Sequence, residues 1–225
     1  LKEALEVSPN SAHKSARLSG GVDVKRFCPA KDKKELRREM SLPEDSVILL
    51  TIRRLAPRMG LENLIRAMKA IERAREDVIL IIVGKGRLET DLHGLIKEQE
   101  LQRTYLAGFV PEEQKPKFYQ ICDLFIMPSV ALEGFGLSTI EALSCGVPVL
   151  GTPTGATPEI LNEILPDFIL PGVDPDVIAK GILGRIDGLG DDAMKERLRK
   201  FSARFSWDRV ADKVEKLFVD MVGGN

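Results

Sequence analysis

Short apolar segments that alternate with helix-periodic segments are the feature that most limits the fold of this chain. The apolar segments are rich in Val, Ile and Leu and occupy Val47–Ile52, Val78–Val83, 104–107, Leu124–Met127, 147–150 and 168–170. Between the first two, apolar residues recur at helical spacing from Leu61 to Ile71. Strands that alternate with helices are typical of βαβ units. The alternation therefore predicts an α/β fold, with a parallel sheet flanked by helices.

Helical segments are predicted between these strands and at the end of the chain. They cover 31–40, 60–75, a segment that carries Leu88, Leu92, Leu95 and Ile96, and then 111–120, 139–144 and 158–162. A last apolar stripe runs from Trp207 to Met221 and has Ser206 as a suitable N-cap. The simplest interpretation of this stripe is a helix that packs on its own domain.

Four turns that follow predicted strands carry most of the Gly, Arg and acidic residues of interest. They are 53–60, 84–87, 108–112 and 129–138. The carboxyl ends of parallel strands meet at one edge of the sheet, and ligands bind beyond that edge. We therefore expect the four turns to form a single site.

Composition excludes several classes of protein. With 44% hydrophobic and 30% charged residues, the 225-residue chain can bury a core, and its formal net charge of −1 gives no reason to expect nucleic acid as a partner. Three scattered cysteines, Cys28, Cys122 and Cys145, lack zinc spacing, and their odd number favours a reducing, cytoplasmic compartment. The run Val78–Val83 is too short to span a bilayer. Because the chain starts at Leu1 instead of Met, we expect it to be part of a longer protein.

The stretch 129–141 holds two carboxylates, Glu133 and Glu141, on either side of a predicted helix start. A helix N-terminus suits a phosphate, and ionised carboxylates suit sugar or ribose hydroxyls. Two structural alternatives exist. Ser138 and Glu141 have the spacing of a capping box, and Glu133 could be an exposed loop acid.

The turn after the first strand holds three arginines, Arg53, Arg54 and Arg58. Guanidinium groups match phosphate oxygens in bidentate fashion. The turn therefore indicates a phosphate-binding site, with a solvated basic loop as the alternative.

The segment EGFGLSTIEALSCGVPVLGT, from Glu133 to Thr152, resembles the E-x7-E signature of the family 4 (group 1) glycosyltransferases. The resemblance extends over about 21–222. It implies a Rossmann-like, donor-binding C-terminal domain, which is one half of a GT-B fold. The implied divisions are a linker and lead-in segment at 1–40, the Rossmann-like domain at 41–205, and a C-terminal helix at 206–225. That helix would cross to an N-terminal domain absent from this sequence, which would leave part of its stripe exposed here.

The resemblance also implies roles for individual residues. Glu133 would be the catalytic-site contact to the donor sugar hydroxyls, and Glu141 would bind the ribose hydroxyls. Diphosphate contacts would come from amides near the helix start. The other donor contacts that the resemblance implies around the helix start are Gly134, Phe135, Gly136, Leu137, Ser138 and Thr139.

The basic turn departs from the pattern of that family, which is G-R-L-x-x-x-K-G. Arg54 matches the family arginine, but Met59 stands in place of the Lys and Arg53 in place of the Gly. Either Arg58 or Lys85 would have to supply the missing charge. The remaining implied donor contacts are Gly84, in a turn near the nucleotide, and Val110, in a turn that contacts the base through main chain.

The implied parent enzyme transfers a sugar from a UDP-, GDP- or ADP-sugar with retention of configuration. This chain would bind the donor and be inactive alone, with the acceptor held by its own N-terminal domain. Neither a metal nor another cofactor is implied, because arginine and helix-end amides take the role of Mg²⁺. A membrane-associated acceptor, with the enzyme at the inner face of the membrane, remains open.

Two other interpretations remain. One is a nucleotide-sugar epimerase or a phosphorylase of GT-B architecture. The other is a non-catalytic nucleotide-sugar-binding module, for which Met59 is the motivating residue.

Overall fold

The computed structural model describes residues 18–223, and their centre is a parallel sheet. Its five strands are β1 (Val47–Ile52), β2 (Val78–Val83), β3 (Thr104–Gly108), β4 (Leu124–Met127) and β5 (Val149–Gly151). Their order is β3-β2-β1-β4-β5, and every neighbouring pair is parallel. The sheet is thus built outward from β1 in both directions, and the predicted α/β parallel fold is confirmed.

Nine helices surround this sheet within residues 18–223. They are α1 (Lys33–Glu39), α2 (Leu61–Ala74), α3 (Glu89–Glu98), α4 (Lys115–Ile121), α5 (Leu137–Ser144), α6 (Thr157–Ile164), α7 (Pro175–Leu183), α8 (Asp192–Ser202) and α9 (Trp207–Gly223). The sequence prediction omitted α7 and α8. The predicted helix at 111–120 begins instead with a 3₁₀ turn over Glu112–Gln114, and its α-helical part starts at Lys115.

The core has two layers, one on each face of the sheet. In β1, Ile48 and Leu50 pack into one layer while Leu49 packs into the other. All six residues of β2 are buried. Both faces of these strands are covered, which explains why they appear in the sequence as continuous apolar runs.

The predicted strand at 168–170 is wrong. Residues Pro166–Phe168 form a 3₁₀ turn, and a single bridge joins Ile169 to Gly151 of β5. Pro166 and Pro171 bracket the segment, and proline lacks the N–H group that a longer ladder needs.

The segments before and after the sheet domain both contain residues that the sequence analysis assigned. Residues 1–17, part of the predicted linker, lie outside the described residues, whereas Val22 and Phe27 belong to the core. At the other end, Ser206 Oγ accepts a hydrogen bond from the Arg209 N–H group at 3.3 Å, as expected of an N-cap. None of the helices described within 18–223 is both long and apolar enough to cross a membrane.

Helix α9 packs on the domain only through part of its apolar stripe. Val210 is buried, but the side chains of Trp207 and Phe218 are 57% and 60% exposed. Trp207, Val210, Val214 and Phe218 line an open apolar groove. The simplest interpretation, a helix that packs on its own domain, therefore holds at Val210 but not at the exposed Trp207 and Phe218.

Candidate functional site

The carboxyl edge of the sheet has a switch point between β1 and β4. From β1 the chain runs outward through β2 to β3, then returns to place β4 on the other side of β1. Crevices of this kind bind ligands in doubly wound sheets, because the turns of the two central strands diverge there. The arginine turn follows β1, and the acidic turn with Glu133 follows β4.

The predicted turns contact one another through main-chain hydrogen bonds. The Leu55 N–H group donates to the Lys85 carbonyl at 3.0 Å, and the Val130 N–H group donates to the Arg58 carbonyl at 3.0 Å. The turns after β1, β2 and β4 are therefore joined into one surface.

Two glycines allow the turns to approach this closely. Gly60 has φ 69°, and a Cβ atom there would lie 1.8 Å from the Pro128 carbonyl oxygen. Gly84 has φ 144°, and a Cβ atom there would lie 1.9 Å from the Arg53 carbonyl oxygen. The Gly84 N–H group donates to the Gly108 carbonyl at 2.8 Å. Gly84, an expected donor contact, thus has a packing role and an amide that is already bonded.

Glu133 is held by two partners on the turns of β1 and β4. Its Oε2 atom lies 2.5 Å from Arg53 Nη2 and accepts a hydrogen bond from Ser129 Oγ at 2.7 Å. The Arg53 and Glu133 side chains are only 5% and 12% exposed. The alternative of an exposed loop acid is therefore excluded.

The sequence places Arg53 in the basic turn as a phosphate-binding candidate but does not predict that it pairs with Glu133. Burial lowers the pKa of its guanidinium, and the Glu133 carboxylate opposes that effect. Its Nε and Nη1 atoms are also buried and have no hydrogen-bond partner among residues 18–223. The available signal was an arginine placed directly after a strand that is apolar except for Thr51.

Glu141 is held by a different kind of partner. The Tyr119 hydroxyl donates a hydrogen bond to Glu141 Oε2 at 2.6 Å. Burial raises the pKa of Glu141, whereas the Tyr119 hydrogen bond and the Lys115 charge lower it. The capping-box alternative is wrong, because α5 begins at Leu137 with Gly136 (φ 75°) as its N-cap residue.

The start of α5 is only partly available to a ligand. The N–H groups of Leu137 and Ser138 precede the first helical hydrogen bond, which the Thr139 N–H group donates to Gly136 at 2.9 Å. Thr139 is buried, so it is a weaker donor candidate than Leu137 or Ser138.

The acidic turn before α5 is partly exposed. Gly134 is exposed, whereas Phe135 is half-buried with its ring 5.7 Å from that of Phe205. Phe135, an expected donor contact, therefore also packs on the core.

The basic residues Arg54, Arg58 and Lys85 are all exposed, and Arg58 also donates a hydrogen bond. Arg54 and Lys85 line a shallow cavity of about 490 Å³ together with Leu55, Ala56, Gly86 and Arg87. Arg58 is exposed and donates to the Leu132 carbonyl at 2.5 Å. Met59 is buried in the core, so its side chain does not enter this surface.

The turn after β3 presents an aromatic side chain. Val110 is buried, so only its main chain is available to a ligand. The neighbouring Phe109 is 64% exposed and lies under Lys85, whose Nζ atom is 5.8 Å from the ring centroid. Within residues 18–223, no group of three or more His, Cys, Asp and Glu side chains is placed to hold a metal ion.

Comparison with known proteins gives one family. The family model described as glycosyl transferases group 1 matches residues 32–202. The chain is 30% identical to the GDP-mannose-dependent monoacylated alpha-(1-6)-phosphatidylinositol monomannoside mannosyltransferase of Corynebacterium glutamicum, over 96% of this chain and 58% of that protein. It is 28% identical to the D-inositol 3-phosphate glycosyltransferase of Salinispora tropica, over 90% of this chain and 45% of that protein. The chain thus spans about half the length of these relatives.

Solved structures agree with the fold. Sucrose-phosphate synthase from Thermosynechococcus elongatus superposes with a TM-score of 0.83 at 23% identity, over 100% of this chain and 57% of that chain. Anabaena HepE, solved in complex with UDP and glucose, superposes with a TM-score of 0.81 at 22% identity, over 96% of this chain and 60% of that chain. The sheet and its helices match the Rossmann-like C-terminal half of a GT-B fold.

Proposed function

The chain belongs to the group 1 glycosyltransferases, and on that premise we propose that it binds the nucleoside diphosphate sugar of a retaining transferase. The observation that carries the proposal is the arrangement at the switch point. Two carboxylates, Glu133 and Glu141, flank the first turn of α5, and the basic turn of β1 lies beside them. That combination provides acceptors for hydroxyls next to donors for a diphosphate.

Each group has a proposed role in this site. Glu141 accepts hydrogen bonds from the ribose hydroxyls, and Glu133 accepts from the sugar. Arg54 and Lys85 neutralise the diphosphate, and the amides of Leu137 and Ser138 complete its binding. Stabilising the charge that develops on the leaving diphosphate accelerates transfer, and these fixed cations and amides can do so without a metal.

The transfer itself is proposed for a longer protein. The relatives named above extend well beyond the region matched by this chain. Helix α9 exposes an apolar stripe that includes Trp207 and Phe218. We propose that this stripe packs against an N-terminal domain that holds the acceptor, and that this chain alone binds donor without transferring it.

One observation favours a second function, a nucleotide-binding module without catalysis. Glu133 Oε2 is already occupied by Arg53 and Ser129, and Met59 is turned into the core. The alternatives are separated by comparing a nucleoside diphosphate with its sugar-bearing form. If the sugar adds nothing to affinity, the binding-module function is favoured.

Calorimetric titration with UDP, GDP and ADP tests the diphosphate site. The base must be found by measurement, because the C. glutamicum relative is described as GDP-mannose-dependent whereas HepE was solved with UDP. A hydrogen bond to a charged group contributes about 1.5–3 kcal/mol. Arg54→Ala should therefore weaken binding of the preferred nucleotide by about 10- to 150-fold.

A matched control is Arg66→Ala, because Arg66 is an exposed arginine on α2. It should leave the affinity within about twofold, since surface substitutions away from a site have little effect. Equal losses in both variants would show that net charge, and not this site, governs binding. No binding of any of the three nucleotides by the unmodified chain would contradict the proposed function of the chain itself.

A further inference from the structure

We propose that Tyr119 is a positioning residue, which fixes the Glu141 carboxylate in the orientation that accepts hydrogen bonds from a ribose. The inference rests on the proposed function, because it takes the ribose as the ligand of Glu141. It adds a residue outside the four turns of the switch point, since Tyr119 lies on α4.

The Tyr119 ring is held on two sides by other aromatic rings. The Phe27 ring stands edge-on to it at a centroid distance of 5.8 Å, and the Phe125 ring of β4 is tilted against it at 5.3 Å. Tyr119 itself is fully buried. A ring packed in this way cannot move its hydroxyl, so the phenol oxygen is a fixed point in the core.

Among residues 18–223, the buried Tyr119 hydroxyl makes one hydrogen bond, and it is to Glu141. Burial and the nearby Glu141 charge raise the pKa of Tyr119 well above its usual value, so the phenol keeps its proton and can donate it. Tyr119 therefore remains a protonated donor over the whole neutral range, and Glu141 Oε2 is the acceptor at 2.6 Å.

Glu141 needs such a fixed point because its side chain is long. A glutamate side chain loses conformational entropy when it is ordered. If ligand binding had to order Glu141, that loss would weaken the affinity. The bond to Tyr119 occupies Oε2, whereas no hydrogen bond to Oε1 is present within the described part of the chain. Because Glu141 is only half-buried, one carboxylate oxygen can be tethered while the other serves the ligand.

Three charged groups also act on Glu141 from neighbouring elements. Lys115 of α4 and Arg26 favour its ionised form, and Glu112 opposes it. Glu112 is itself contacted by Lys115 and lies 3.8 Å from Arg26. The two cations are thus shared with Glu112, so the neutral phenol is the specific hydrogen-bond donor to Glu141.

The test compares nucleoside diphosphates with their 2′-deoxy forms, using UDP, GDP and ADP pairs, in the unmodified chain and in Tyr119→Phe. The chain has two tyrosines, and Tyr105→Phe is the matched control. Tyr105 is exposed, and its hydroxyl donates to the carbonyl of Gln102 nearby. Phenylalanine retains the ring contacts of Tyr119, so the variant removes the hydroxyl alone.

The unmodified chain and Tyr105→Phe should bind the ribose form about tenfold or more tightly than the 2′-deoxy form, because Glu141 loses a charge-assisted bond in the latter. In Tyr119→Phe this ratio should fall at least about threefold, with little change in affinity for the 2′-deoxy form. Equal weakening of both forms would overturn the proposal, since a merely structural tyrosine would act on both.

A pH series gives a second signature. The phenol hydrogen bond stabilises the ionised carboxylate, so Tyr119→Phe should raise the pKa of Glu141 further. The ribose preference is lost as the pH falls through that pKa, and in the variant it should be lost at a higher pH. An unchanged pH profile would overturn the positioning role.

The outcomes also separate this inference from the proposed function. If the unmodified chain binds diphosphates but does not distinguish ribose from 2′-deoxyribose, the diphosphate site stands and the role of Tyr119 is overturned. If it binds none, the proposed function fails. NMR titration of the glutamate carboxyl carbons needs no ligand, and an identical Glu141 pKa in both proteins would overturn the Tyr119 link by itself.

Discussion

The two carboxylates at the switch point have the same side chain but different electrostatic surroundings. Glu133 lies on a loop and is paired with a buried guanidinium, Arg53. Glu141 lies on a helix and receives a hydrogen bond from a neutral phenol, Tyr119. The charge of Glu133 is therefore balanced by one adjacent cation, while Glu141 depends on a hydrogen bond and on more distant cations.

The two carboxylates join different parts of the structure. The Arg53–Glu133 pair joins the turn after β1 to the turn after β4, across the point where the sheet order reverses. The Tyr119–Glu141 bond joins α4 to α5 on one face of the sheet. Glu133 should therefore matter more for stability of the edge, and Glu141 more for ligand geometry.

Removal of Arg53 should have the largest effect. Arg53→Ala leaves the Glu133 carboxylate buried without its counter-ion, and breaking such a pair from one side destabilises a protein by about 3–5 kcal/mol. Urea unfolding measures the loss, with the exposed neighbour Arg54→Ala as a control that should remain within about 0.5 kcal/mol of the unmodified chain.

A double variant separates the charge from the packing. Arg53→Met combined with Glu133→Leu removes both charges and retains apolar volume, and such replacements are often nearly neutral. Recovery of most of the lost stability would assign the effect to the unpaired charge. If Arg53→Ala lowered the free energy of unfolding by less than about 1 kcal/mol, the Arg53–Glu133 pair would be no stronger than a surface ion pair. The contrast between Glu133 and Glu141 would then not hold.

Ser129 should have a smaller effect on the same carboxylate. Ser129 is buried, and its hydroxyl donates to Glu133 Oε2 at 2.7 Å. Ser129→Ala should lower the free energy of unfolding by about 1.5–3 kcal/mol, the range for a hydrogen bond to a charged group. Ser19→Ala is a suitable control, since the buried Ser19 Oγ has no hydrogen-bond partner in the described part of the chain. Similar losses in both variants would show that the Ser129–Glu133 bond contributes nothing specific.

The sequence predicted the sheet well because the strands are buried on both faces. The bounds of β1, β2 and β4 could be taken from runs of apolar residues. Helix α8 escaped prediction because most of its residues are charged or polar, and only Leu198, Phe201 and Ser202 of the helix are buried. Helix α7 carried a visible signal, with Asp174 before Pro175 at its first position.

The pairings inside the site could not be predicted because they join residues far apart in the chain. Arg53 and Glu133 are separated by 80 positions, and they meet only because β1 and β4 are neighbours with Leu49 opposite Leu124. The capping-box hypothesis for Glu141 failed for a local reason. Gly136 takes a left-handed conformation as N-cap residue, so the helix begins before Ser138 and Glu141 turns toward Tyr119.

The smallest predicted effect concerns Glu141 and the pH dependence of stability. Burial raises the pKa of Glu141 in the folded chain above its usual value, which is the value in the unfolded chain. At a pH between these two pKa values, the folded state therefore binds more protons than the unfolded state. Stability contributed by Glu141 is thus greatest at lower pH and is lost as the pH rises through the raised pKa. Glu141→Gln is neutral throughout, and its amide oxygen can still accept from Tyr119.

The variant should therefore gain stability relative to the unmodified chain as the pH rises through this window, and the difference should level off above it. Urea unfolding at a series of pH values measures the difference, and Glu133→Gln is measured in the same way for comparison. That second variant should be destabilised because it leaves Arg53 buried without a counter-ion. If the Glu141→Gln chain instead lost stability relative to the unmodified chain as the pH rose, Glu141 would be a charge-compensated acid like Glu133, and the contrast between the two carboxylates would not hold.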